Sequence, residues 1–177
     1  DGLIATTSYD GVLYFYRLAN GQVSSVSRQR TKTAAPRGVA FSPDGRQLAV
    51  GYRGVAGDQG APSIHDAQTG ELKFELPRPK LAAGNLATIA WSNDGLNLYA
   101  AGSGYERVGN HAGYRYDLQK RSVSVQSTMA GNTITALVPT PNGLLAYASF
   151  DGSWGVAGQE LRVTAYTGAI ADFRGPD

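Results

Sequence analysis

Val39-Ala40-Phe41-Ser42-Pro43-Asp44-Gly45-Arg46-Gln47-Leu48-Ala49-Val50 is an apolar run, a tight polar turn and a second apolar run. The pattern returns at Ile89-Ala90-Trp91-Ser92-Asn93-Asp94-Gly95-Leu96-Asn97-Leu98-Tyr99-Ala100, and again at Leu137-Val138-Pro139-Thr140-Pro141-Asn142-Gly143-Leu144-Leu145-Ala146-Tyr147-Ala148. A two-strand connection needs residues that tolerate positive φ, and Gly, Asn and Asp do so most readily. Pro43 presets φ for the first corner of its turn. Each flanking run is rich in branched and aromatic residues and too short for an ordinary helix. The reading is a β-hairpin repeated three times, at a spacing near fifty residues.

Composition agrees with many short strands joined by turns. Of 177 residues 23 are glycine, and only 17% are charged, against about 25% in an average domain. Hydrophobic residues make up 42%, which excludes a disordered chain. The net charge of +2, without clustered Lys and Arg, argues against a nucleic-acid partner. Cysteine is absent, so disulfides, thiolate metal sites and a Cys nucleophile are excluded. No apolar run approaches the ~20 residues of a membrane helix, and no membrane partner is expected.

Outward from the hairpins, the chain opens with Leu3 to Thr7, the turn Ser8-Tyr9-Asp10-Gly11, and Val12 to Leu18; a second turn at Asn20-Gly21 leads to Gln22 to Val26. Ser-x-Asp-Gly followed by alternating apolar residues and an aromatic resembles the second half of a tryptophan–aspartate (WD) repeat, the blade unit of many β-propellers. Ser149-Phe150-Asp151-Gly152-Ser153-Trp154 looks like the same element. The two Asp-Gly pairs lie 141 positions apart, three periods of 47, close to the ~40–45 of such repeats. The aromatic–Asp pair of the family stands as His65-Asp66 and Tyr116-Asp117, with Tyr16-Arg17 in the first unit. The family's Gly-His pair, part of a buried hydrogen-bond network, is missing, which marks a divergent member. The Pro-Asp-Gly turn also resembles TolB-like propeller repeats.

The resemblance implies an all-β chain of four-stranded antiparallel blades, about three and a half of them, in a larger or oligomer-completed ring. Residues 1–33 form an incomplete blade lacking its innermost strand; 34–80, 81–130 and 131–177 are full blades. The missing strand and the remainder of the propeller are expected from residues before Asp1 or from another chain, two half-rings being the sharper form of that idea. Arg28 to Arg37, Pro77 to Asn85 and Thr128 to Thr133 read as connectors. Alternation in Glu71 to Leu76 predicts that Leu72, Phe74 and Leu76 face the next blade.

Connections between second and third strands read as enlarged loops at Tyr52 to Pro62, Ser103 to Gly113 and Phe150 to Gln159, all on one face, and such insertions often build a binding surface. Aromatic and arginine side chains are enriched at binding hot spots. The candidate contact residues are therefore Arg53, Tyr105, Arg107, Phe150 and Trp154. Tyr52 reads as packing between blades, His65 as a packed and hydrogen-bonded residue, and Asp10 and Asp151 as acceptors for their own turn amides. Only two histidines exist, in different blades, so no metal and no cofactor is expected. Nucleophile, P-loop and dinucleotide patterns are missing.

The functional expectation is a non-catalytic platform holding a protein or peptide partner, as the regulatory or scaffold part of a longer protein. The alternative is a propeller hydrolase or lactonase with a site in the central channel, for which Asp58, Glu106, His111 and Asp151 are the visible carboxylates and histidine.

Overall fold

The computed structural model describes residues 2–32, 35–53, 61–81, 84–107, 110–158 and 160–167. The described residues contain strands and no helix, in four antiparallel sheets that follow chain order. The first sheet holds β1 (Gly2–Thr7), β2 (Val12–Ala19) and β3 (Gln22–Arg30). The second holds β4 (Pro36–Phe41), β5 (Gln47–Tyr52), β6 (Ser63–Asp66) and β7 (Leu72–Glu75). The third is built from β8 (Thr88–Trp91), β9 (Asn97–Ala101), β11 (Asn110–Asp117) and β12 (Ser122–Ala130). A short β10 (Tyr105–Arg107) also pairs with β11. The fourth holds β13 (Ile134–Pro139), β14 (Leu145–Ser149), β15 (Trp154–Ala157) and β16 (Val163–Thr167).

Repeated side-chain chemistry closes the three hairpin turns. Ser42 Oγ donates to Asp44 Oδ1 at 2.6 Å and accepts from the Gln47 amide at 2.9 Å, while Asp44 accepts from the Arg46 amide at 3.0 Å. Ser92 and Asp94 repeat this with the amides of Asn97 and Leu96, both at 2.9 Å. In the shorter third turn Thr140 accepts from the Leu144 amide at 3.1 Å. Gly45, Gly95 and Gly143 all have positive φ, the conformation that glycine enters without a Cβ clash.

A second repeated feature was not legible in the sequence. In every sheet the pairing of the last two strands slips, between Phe15/Tyr16, Ile64/His65, Arg115/Tyr116 and Val156/Ala157. In the first three sheets the slip falls just before Tyr16-Arg17, His65-Asp66 and Tyr116-Asp117, and in the fourth just before Ala157-Gly158. The residue types differ while the place does not, and a β-bulge there raises the local twist. It also breaks the alternation expected in β7, where Leu72 is 43% exposed. Leu76 is buried, as the alternation requires.

Between sheets, strand periodicity divides the side chains. Leu48, Val50 and Tyr52 of β5 pack with Leu13 and Phe15 of the first sheet. From the opposite face Ala49 and Ile64 pack with Leu98, Ala100, Tyr114 and Tyr116 of the third. Tyr99 and Ala101 then meet Leu137, Leu145 and Tyr147 of the fourth. Leu13, Leu48 and Leu98 are fully buried, and each such side chain contributes about 1.5–3 kcal/mol relative to exposure. A sheet alone keeps none of this. The outward faces of the two end sheets remain partly exposed, with Leu18 paired to Val23 on the first and Val138 on the last.

Strand extents correct three expectations. Arg28 to Arg30, Pro36 to Arg37 and Thr128 to Ala130 are strand rather than connector. The segment Ser103 to Gly113 is largely a β-hairpin, β10 with β11, rather than an open loop. No enlarged loop spans Phe150 to Gln159: a short turn after Ser149 leads straight into β15, because Asp151 and Gly152 close it as Asp10 and Gly11 close the first.

Candidate functional site

The site starts from the two Ser-x-Asp-Gly turns. The Gly11 amide donates to Ser8 O and the Gly152 amide to Ser149 O, both at 3.1 Å. Asp10 Oδ1 accepts from the Val12 amide at 3.1 Å, and Asp151 Oδ1 from the Ser153 amide at 3.0 Å. The hydroxyl of Ser149, then that of Ser153, holds the Asp151 carboxyl down to about 2. Both aspartates thus serve the turns that contain them. With the backbone pinned, the second residue of each turn has nowhere to pack, and Tyr9 and Phe150 are 71% and 78% exposed.

Between these aromatics lie two arginines of the second sheet. Arg53 directly follows β5, its amide donating to Ala35 O at 3.0 Å. Its guanidinium lies over the Tyr9 ring, 5.7 Å from the centroid, and donates to the Tyr9 hydroxyl. Arg37 is the second residue of β4, and its carbonyl accepts from Thr7 Oγ1 at 2.9 Å. Three ion pairs occur among the described residues, Lys32–Glu75, Lys73–Asp66 and Lys120–Asp117, and none involves Arg37 or Arg53.

Two adjoining pockets share these arginines. The larger, about 370 Å³, has Thr7, Tyr9 and Pro36 on its other walls. The other, about 340 Å³, lies where the first strands of three sheets begin and includes Asn85, Thr88, Ser103, Thr133 and Phe150. The Phe150 amide donates to Thr133 O at 2.8 Å, which holds the backbone of Phe150 beside the start of the fourth sheet's first strand. All four sheets therefore contribute to one trough.

Of the expected contact residues, Arg53 and Phe150 come together on one pocket wall. Tyr105 and Arg107 sit on β10, shortly after the wall residue Ser103, and their side chains lie outside the described residues. Trp154 is the first residue of β15, paired with Ala148 and Thr167, half-buried, and it lines neither pocket. Asp58 lies outside the described residues, as does the Glu106 side chain. Tyr9 and Arg37 are additions. Tyr9 had a signal, since it holds the position of Phe150 in the repeated turn; Arg37 was hidden by the misplaced start of β4.

The histidines sit elsewhere. His65 is 2% exposed, its Nε2 2.9 Å from Ser63 Oγ and its Nδ1 2.9 Å from Gly70 O; Tyr52 OH lies 2.8 Å from the same Ser63 oxygen. Burial lowers the His65 pKa, the Gly70 carbonyl opposing it, and pushes Tyr52 up to about 12. His111 is buried on β11. No group of three or more His, Cys, Asp or Glu able to hold a metal occurs among the described residues. The arrangement around the trough offers cation, hydrogen-bond and aromatic surface, which is the chemistry of holding a partner.

Among known proteins, the family model of the anaphase-promoting complex subunit 4 WD40 domain matches residues 1–94. No curated protein matches the chain. The match spans more than half of the sequence and includes the first two sheets, with their Ser-x-Asp-Gly turn and Pro-Asp-Gly hairpin, so the chain belongs to the anaphase-promoting complex subunit 4 WD40 domain family of β-propellers.

Proposed function

We propose that this chain is a non-catalytic platform that holds a protein or peptide partner on the face bearing Tyr9, Arg37, Arg53 and Phe150. WD40 domains generally mediate protein interactions. The observation that carries the reading is the trough itself, to which all four sheets contribute and whose two aromatics stand exposed. Exposed aromatics beside arginines are the residue types that dominate binding energy. Arg53 and Phe150 form the centre of the contact, and the β10–β11 hairpin carrying Tyr105 and Arg107 extends it. Trp154, half-buried at the start of β15, completes the proposed contact set from the fourth sheet. The half-exposed outward faces of the end sheets receive further blades, from the same or another chain, and the whole serves as the regulatory or scaffold part of a longer protein. The histidine in place of the family's aromatic, and the Pro-Asp-Gly turn, fit a divergent member with TolB-like hairpins.

Peptides selected from a display library on the wild-type chain test the reading. Their binding falls at least about tenfold, roughly 1.4 kcal/mol, in Phe150→Ala and stays unchanged in Leu96→Ala, on the opposite-end turn. The reverse pattern, or equal loss in both, refutes it.

A further inference from the structure

We infer that the trough takes an extended acidic segment of a partner protein, with its carboxylates seated between Arg37 and Arg53 and apolar side chains reaching Tyr9 and Phe150. This rests on the binding role proposed above and adds the chemistry of the partner.

The argument is one of charge and shape. Arg37 and Arg53 are the two residues common to both pockets, so a ligand spanning the pockets passes both arginines. Among the described residues neither forms an ion pair, and no carboxylate lines either pocket. The other walls mix hydroxyls and an amide, from Thr7, Thr88, Ser103, Thr133 and Asn85, with apolar surface such as Ile134 and Pro36. Guanidinium groups bind carboxylates through paired, charge-assisted hydrogen bonds. Arg53 is already oriented by its Tyr9 contacts, which lowers the ordering cost of binding. Each pocket has one exposed aromatic of its own, Tyr9 in the first and Phe150 in the second. A small anion fills only the middle. A chain segment with a carboxylate centre and apolar flanks uses the whole length.

The test is fluorescence anisotropy with three labelled, end-blocked peptides of equal length, each with leucine flanks and a core of glutamate, glutamine or lysine. The glutamate peptide binds at least about tenfold tighter than the glutamine one, and loses at least about tenfold when salt rises from about 0.1 M to about 1 M, where the screening length drops to ~3 Å. Arg37→Ala with Arg53→Ala abolishes the preference. Arg37→Glu with Arg53→Glu transfers it to the lysine peptide, and an unchanged circular dichroism spectrum of each variant shows that folding is kept. Equal binding of the glutamate and glutamine peptides, or a preference that survives both double variants, overturns the inference. So does an oligothymidylate that binds as tightly as the glutamate peptide, since that would make the site a general polyanion surface. Neutral peptides from the display selection that depend on Phe150 would leave the platform standing and sink the acidic partner alone.

Discussion

The Trp91 indole donates across a sheet boundary to the carbonyl of Ala40, at 2.9 Å. Fifty-one positions separate the pair, one repeat period, and the bond ties the third sheet's first strand to the second's. A hydrogen bond of this kind contributes about 0.5–1.5 kcal/mol, and orphaning its acceptor costs more. Trp91→Phe therefore lowers unfolding stability by about 1–3 kcal/mol, read from denaturant midpoints. A loss within error would show that the indole does not link the blades.

Glycine sets how closely the second and third sheets approach. Gly38 and Gly51 are register partners on β4 and β5, and a Cβ on Gly38 would stand 2.1 Å from Ala87 O. The obstacle is backbone, which cannot rotate away. Gly38→Ala costs about 1–3 kcal/mol through overpacking, whereas Gly2→Ala, with open space around it, costs little. Equal thermal midpoints for the two variants would contradict the packing described.

Tyr116 offers a change of opposite sign. Its hydroxyl is buried with no hydrogen-bond partner among the described residues, and burial raises its pKa. An unsatisfied buried hydroxyl costs about 1–3 kcal/mol. Tyr116→Phe leaves stability unchanged or raises it by about 1 kcal/mol; a clear loss in chemical denaturation would reveal a partner for that oxygen.

His65 makes stability depend on pH. Its folded pKa lies below the ordinary value of about 6.5, chiefly because burial disfavours the charged ring. The unfolded chain then takes up the proton first as pH falls, so this contribution is complete above about 6.5 and lost below it. Urea midpoints fall from about pH 7.5 to about pH 5.5, and His65→Gln flattens that slope. The lowered aspartates, Asp44, Asp66, Asp94, Asp117 and Asp151, act in the same direction but only in the carboxylate range, at lower pH. An undiminished slope in His65→Gln would assign the effect elsewhere.

Turn chemistry is why the blades could be read at all. Asp44-Gly45 and Asp94-Gly95 carry their own instructions, because the side chain and the positive φ act within a few residues. Asp10 and Asp151 were legible on the same ground. The bulges were not, since pairing across two strands decides them and no local residue type marks them. Trp154 stands on β15 rather than in a loop because Ser149, Asp151 and Ser153 close the preceding turn at once, which the sequence spacing does not reveal. Arg37 joined the site only when β4 was seen to begin at Pro36, opposite Tyr52 and one residue from Arg53.

Hydrogen exchange with a display-selected peptide bound tests the central claim most directly. Partner binding at the trough predicts slowed amides near Tyr9, Arg37, Arg53, Thr133 and Phe150, with the hairpin turns at Gly45, Gly95 and Gly143 unaffected. Protection centred on those hairpin turns, or spread along an outward sheet face, would contradict it.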